Sequence, residues 1–186
     1  AGICSILLNP KDAQQIPVKN FLVERIEKTT VNNQYEVLSS TIKGLFSQKE
    51  YFSKEIASEN NIGYKIIRKE DVVLSPQNLY MGNINFNDKF EVGIVSPSYK
   101  IYSISDDFNK TYVSNVLRTH RALFKYMLIS EQGASIVRRN LNIEDFEKLK
   151  DLRHEFYSRK KNLYHYLHMS NSNNQAYLQG EEVRIK

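Results

Sequence analysis

Several side chains in this sequence are of types that do chemistry, and their spacing decides what chemistry is open to them. Asp106 and Asp107 are adjacent carboxylates of the kind that share acid–base work, but they stand just ahead of a helical stretch, where acids have a structural role. His165 and His168 are three apart, yet no cysteine or third histidine stands at ligand spacing, so no metal is expected. Cys4 has no basic neighbour to make it a reactive thiolate and reads as a small hydrophobe. A metal-dependent restriction-type nuclease needs an acid two positions before a lysine, and no lysine here has one. The 7 glycines are not arranged as a phosphate-cradling loop or a dinucleotide or methyl-donor turn, so no cofactor is expected. Asn9-Pro10-Lys11-Asp12 lacks the paired prolines and aromatic residue of an amino-methyltransferase. The chain is therefore read as non-catalytic. One enzyme reading stays open, a hydrolytic site assembled from distant residues such as Asp88, Glu91, Asp106 and His120.

What the residue types favour instead is a reading surface. The net charge is +5, and the excess is local: residues 61–140 carry 11 basic and 7 acidic side chains, while the flanking segments are close to balance. In that middle stretch Arg68, Lys69, Lys100, Arg118, Arg121, Arg138 and Arg139 are suited to phosphates. Gln77, Asn78, Tyr80, Asn83, Asn85 and Tyr99 carry groups able to meet base edges, and Thr41 with Lys43 beside Gly44 forms a further loop candidate. The competing explanation is that edge lysines discourage aggregation and asparagines serve turns.

The elements that must position these residues follow from composition and period. With 186 residues, 41% hydrophobic and 25% charged, the chain has room for one packed domain. Mean hydropathy is −0.51 and no apolar run approaches the roughly 18 residues of a membrane span, so no membrane partner is expected. A single cysteine fits a reducing compartment, and the expected location is cytoplasmic. Strand signals are read at 18–23 and 35–38, and a short helix at 47–58 opens on the capping pair Ser47 and Glu50. From Tyr64 the runs YKIIR, DVVLS, GNINF, EVGIVS and YKIYSI, separated by Pro76, Gly82, Gly93 and Pro97, predict a sheet. A helix capped by Asp106 or Asp107 and running to Leu128 is expected to cover it. Asn142, with Asp145 in the first turn, is expected to cap a long helix over 142–170, whose stripe Phe146, Leu149, Leu152, Phe156, Leu163 and Leu167 packs on its own domain or on a second helix. The expected division is a domain at 1–141, that helix, and a polar tail at 171–186. The fold class is α+β, a curved mixed sheet with flanking helices and a protruding C-terminal helix.

The residues at 64–105 also resemble the specificity subunits of type I restriction-modification systems. YKIIRKEDVVLSP is similar to the family's tyrosine, β-rich run, charged turn and strand; GIVSPSYKIYSI resembles its Gly-hydrophobic-Val-Ser-Pro element and following strand. YEVLSSTIKGLFSQKEYFSKEIASEN is similar to the segment that opens many of its recognition domains, and VRRNLNIEDFEKL resembles its closing loop. The resemblance covers about 16–149. It implies a target-recognition domain that binds one half of a split double-stranded DNA site and docks on methyltransferase and restriction subunits of a bacterial or archaeal cytoplasm, where the catalysis lies. A whole specificity subunit resembles two such domains joined by long helices. This chain, which opens on Ala1, is expected to be a fragment or a half subunit that pairs with itself through Leu149, Leu152, Phe156, Leu163 and Leu167. After Leu149 the family's prolines are missing. That departure leaves open an orphan recognition domain of a single-chain restriction-methylation enzyme, beside the separate reading of a protein-interaction module acting through a coiled-coil helix.

Overall fold

Strands dominate the molecule because its apolar residues come in short β-branched runs bounded by Gly, Pro, Asn and Ser. A computed structural model describes residues 15–51, 60–132 and 139–153. The chain starts with β1 (Gln15–Pro17), a 3-10 turn at Val18–Asn20 and β2 (Leu22–Glu24). A hairpin of β3 (Leu38–Thr41) and β4 (Gly44–Ser47) follows, then a helical turn α1 (Gln48–Tyr51), the described part of the helix expected at 47–58. The five runs read as a sheet are all strands: β5 (Lys65–Arg68), β6 (Asp71–Leu74), β7 (Ile84–Phe86), β8 (Val92–Val95) and β9 (Lys100–Ile104). Helices α2 (Lys110–Val116) and α3 (His120–Leu128) come next, then β10 (Ser130–Gln132), β11 (Arg139–Leu141), α4 (Ile143–Lys148) and β12 (Lys150–Arg153).

The central sheet has the order β2-β9-β6-β7, and β3-β4, β5-β8, β10-β11 and β1-β12 form two-stranded ladders. Among the described residues every ladder is antiparallel, and the parallel contact is one isolated bridge, Val37 with Ile94. Both faces of the central sheet are covered, which is why β6 is buried at all four positions instead of alternating. Val72 and Leu74 on one face, with Tyr102 and Ile104 of β9, pack beneath Tyr112, Val113, Val116, Ala122, Tyr126 and Phe146 of the helices. Val73 and Ile101 on the other face meet Leu38, Leu45, Ile67 and Val95. Burying each of the valine, leucine, isoleucine and phenylalanine side chains among these contributes about 1.5–3 kcal/mol. Gly93 is required by this second layer, because a Cβ there would stand 2.4 Å from Leu38 Cδ1.

Three expectations are corrected. Of the strand signal at 18–23, the first part is the 3-10 turn, and the one at 35–38 is displaced to β3. The helix expected to run from Asp106 or Asp107 to Leu128 is two helices. Asn109, not an aspartate, caps α2 by accepting from Tyr112 N at 2.9 Å, while Asp106 lies 3.6 Å from Lys110 in solvent. At the break Thr119 donates to Val116 O at 2.9 Å and accepts from Ala122 N at 3.2 Å, so one hydroxyl closes α2 and opens α3. The unbroken helix expected from Asn142 does start there, with Asn142 accepting from Asp145 N at 3.2 Å, but α4 ends at Lys148. Phe146 is sunk in the main core and Val18 N donates to Leu149 O at 2.8 Å, so the chain straightens and pairs with β1, Ile16 opposite Leu152. Ladder hydrogen bonds from β1 override the helical spacing. Leu149 is half-buried against the main core; Phe156, Leu163, Leu167, the rest of 154–170 and the tail at 171–186 lie outside the described residues.

The main core encloses one misfit. Tyr102 is 1% exposed, packs 6.0 Å from the ring of Phe146, and its hydroxyl has no hydrogen-bond partner among the described residues. Burial, with Glu24 and Glu147 adding to it, pushes the phenol well above the usual tyrosine range. A raised phenol pKa gives stability that is complete below about pH 10 and lost as pH climbs towards the folded-state value, since the unfolded chain ionises first. Tyr102→Phe is expected to raise unfolding stability at neutral pH by about 1 kcal/mol and to flatten its fall above pH 10. Urea unfolding at pH 7 and pH 11 checks this; a variant less stable than the parent at pH 7 would show that the hydroxyl is satisfied.

Candidate nucleic-acid interface

A two-residue turn needs an internal fixture, and the β3–β4 hairpin has one. Thr41 Oγ1 accepts from Lys43 N at 3.1 Å and donates to Gly44 O at 3.2 Å, which sets Lys43 at the exposed tip. The hairpin is tied to the central sheet by buried polar groups. Ser40 donates to Asn83 Oδ1 at 2.7 Å, Asn83 returns a bond to Ser40 O at 3.1 Å, and Asn85 Nδ2 donates to Ser40 Oγ and Thr41 O, both at 2.8 Å. Tyr99 adds its hydroxyl to Ser40 O at 3.1 Å, and burial raises its phenol pKa.

Beside this hairpin lies a groove of about 460 Å³ whose lining includes Lys43, Asn85, Asp88, Lys89, Ser114 and Arg118. Arg118 stands at the break between α2 and α3, donating to Asn85 Oδ1 at 3.1 Å and to Ile42 O at 3.4 Å. Lys89 extends from the β7–β8 turn, its ammonium 5.8 Å from the Phe46 ring centre. A second cluster forms on the loop between β6 and β7. Arg139 N donates to Gln77 O at 3.2 Å and Leu141 N to Pro76 O at 3.1 Å, so β11 is stitched to that loop. The Arg139 guanidinium sits 5.8 Å from the ring centre of Tyr80. Gly82, at φ 96°, closes the 3-10 turn at Leu79–Met81 in a conformation that favours glycine. Both clusters thus flank β7, an edge strand of the central sheet.

The structure brings Thr41 and Lys43 together at the hairpin, and Gln77, Asn78, Tyr80 and Arg139 together at the β6–β7 loop; Arg138 lies outside the described residues. It removes others from the expected reading surface. Asn83 and Asn85 are 5% and 2% exposed, with amides spent on Ser40 and Thr41, so they hold the hairpin instead of meeting bases. Tyr99 is tied to Ser40 in the same way. Arg68 grips Glu27 with Nη2 at 2.7 Å and Nε at 3.2 Å; this bond lowers the Glu27 carboxyl pKa and raises that of the guanidinium. Lys69 is paired with Glu91, and Lys100 with Glu24 at 2.6 Å. Sequence order does not reveal such partners, 41 and 76 positions away in the cases of Arg68 and Lys100. Lys89 is the groove residue the sequence reading missed; it lies in an ordinary polar turn, NDKF, and no sequence signal marks it.

Among the described residues no three His, Cys, Asp or Glu side chains gather to hold a metal. Of the four residues of the hydrolytic reading, Glu91 is bound to Lys69, Asp106 lies by Lys110, and Asp88 lines the groove. Asp71 is buried with Arg25, Nε 3.0 Å from Oδ2; burial raises its carboxyl pKa against the Arg68 backbone N–H and the Arg25 charge.

Comparison with solved structures places this fold. The chain superposes, over 90% of its length, on 41% of the S subunit of a type I restriction-modification system from M. genitalium, with TM-score 0.54 and 10% identity. It superposes over 92% of its length on 45% of the HsdS subunit from Thermoanaerobacter tengcongensis, with TM-score 0.52 and 13% identity. The fold is that of these S subunits, as the resemblance implied, and the chain spans less than half the length of each. Residues 129–186, under a third of the chain, match a family model described as RlaP, RNA repair pathway DNA polymerase beta family. No curated protein is significantly similar in sequence.

The polar tie beneath the hairpin is measurable. Asn85→Ala strips Ser40, Thr41 and Arg118 of a partner and is expected to lower unfolding stability by about 2–3 kcal/mol, read as the shift in the urea midpoint. A shift under a few tenths of a kcal/mol would mean that the hairpin is held by its apolar face alone.

Proposed function

We propose that this chain is a double-stranded DNA recognition module, half of a specificity subunit, which directs methyltransferase and restriction subunits to a target site and carries no catalysis of its own. The observation that carries the reading is the superposition of nearly the whole chain on less than half of two S subunits. The grouping of Gln77, Asn78, Tyr80 and Arg139 on one loop and of Thr41 and Lys43 on the neighbouring hairpin supports it. In this reading Arg139 and Arg138 hold phosphates, while Gln77 and Asn78 reach base edges in the major groove. The Tyr80 ring, 5.8 Å from the Arg139 guanidinium, attracts and aims it. The apolar stripe at Leu149, Leu152, Phe156, Leu163 and Leu167 then divides: the first two belong to the domain, and the last three supply contact with a second copy or a partner subunit. The setting is a bacterial or archaeal cytoplasm, and no helix among the described residues is long and apolar enough to cross a membrane.

Selection of bound duplexes from a random-sequence pool at physiological salt tests the reading. Enrichment of a short motif is expected, repeated in inverted orientation if two copies pair. Gln77→Ala or Asn78→Ala is expected to shift preference at one or two base pairs, by about 1–3 kcal/mol of discrimination at each. Retention of duplexes without any enriched motif would overturn the recognition reading.

A further inference from the structure

We infer that the groove beside the β3–β4 hairpin is a seat for the phosphate backbone of the duplex, with Lys43, Lys89 and Arg118 as its contacts. This rests on the recognition reading and assigns it a second contact, apart from the loop of Gln77 and Arg139. Arg25, Arg68, Lys69, Lys100, Lys110 and Lys148 are all paired with carboxylates. Among the described residues no carboxylate pairs with Lys43, Lys89 or Arg118, and all three are exposed on one groove with Asp88 as the single acid, a net charge of +2 from three cations and one carboxylate. Cations left without carboxylates on a concave surface attract an anion that is not part of the fold.

Arg118 spends one Nη on Asn85 Oδ1 and the other on Ile42 O, so its guanidinium is fixed before any ligand arrives, and its remaining N–H groups are free to donate. Its anchor, Asn85, is itself bound to Ser40 and Thr41, so Arg118 and the turn that carries Lys43 are set by one frame. Holding the Arg118 guanidinium and the backbone of the Lys43 turn in place beforehand lowers the ordering cost that long side chains normally impose on binding. Thr111, Ser114 and Asn115 of α2 line the same groove with small polar groups that accommodate a sugar-phosphate edge without reading bases. The ligand is thus a phosphodiester strand, contacted without regard to sequence.

Binding of the full chain to a labelled duplex of about 20 base pairs, followed across a salt series, tests this. Lys43→Gln and Lys89→Gln are each expected to weaken binding to every sequence and to reduce the slope of log K against log salt by about 1. Asp88→Asn is expected to tighten binding. Lys28→Gln removes the same charge from a residue that does not line the groove and is expected to leave the slope unchanged. All four positions are exposed, so the fold is not at risk. If the parent binds duplex while the groove variants match Lys28→Gln, the groove inference falls and the recognition reading stands. If Lys89→Gln alters preference among sequences instead, the groove reads bases and the inference also falls. A parent that retains no duplex would overturn both.

Discussion

Buried amides must find partners, and in this molecule that demand fixes the loops. Ser40 is the node: its hydroxyl and carbonyl together meet Asn83, Asn85 and Tyr99, which come from the β6–β7 loop, from β7 and from the β8–β9 loop. An unsatisfied buried amide costs about 1–3 kcal/mol, so the hairpin has one low-energy seat against the sheet and no graded alternatives. Asn61 and Asn87 repeat the device elsewhere. Asn61 donates its N–H to Asn32 Oδ1, exchanges bonds with Asn33 and takes the Thr29 hydroxyl on its carbonyl, while Asn87 spans from Arg68 O to Phe90 N and O. Connections that would otherwise be loose are thereby made part of the framework.

The apolar layers do a different job from the amides. One core, built from aromatic residues such as Tyr102, Tyr126 and Phe146, joins the sheet to the helices; a smaller aliphatic one joins it to the β3–β4 and β5–β8 ladders. β6 and β9 lie between the two layers, and their side chains alternate between the cores. Loops at β7 therefore emerge from a strand whose neighbour is clamped from both sides, a rigid base for surface residues.

Local pattern made the strands legible. The five runs from Tyr64 to Ser105 have the β-branched composition and turn punctuation that short buried strands require, and they form in the expected places. Asn142 and Asp145 opened a helix as read, because capping is a contact between residues three apart. The break of the expected helix at Thr119 turned on contacts three residues away, whereas the other failures came where the deciding partner was remote. Nothing near Arg68 announces Glu27, nothing near Asn85 announces Ser40, and the spacing of Phe146, Leu149 and Leu152 does not announce that β1 waits to pair with the last of them. A side chain capable of meeting a base is equally capable of satisfying a buried hydroxyl, and composition alone does not choose.

The ladder of β1 with β12 has a consequence for how such a domain is used. Gln15 stands opposite Arg153, so the first and last of the described residues lie side by side, one antiparallel pair apart. A unit with adjoining ends can be placed within a longer polypeptide, or exchanged for another of the same build, without changing the separation of the segments on either side. The loops that such a unit presents and the spacing of the segments that flank it are thus independent of one another.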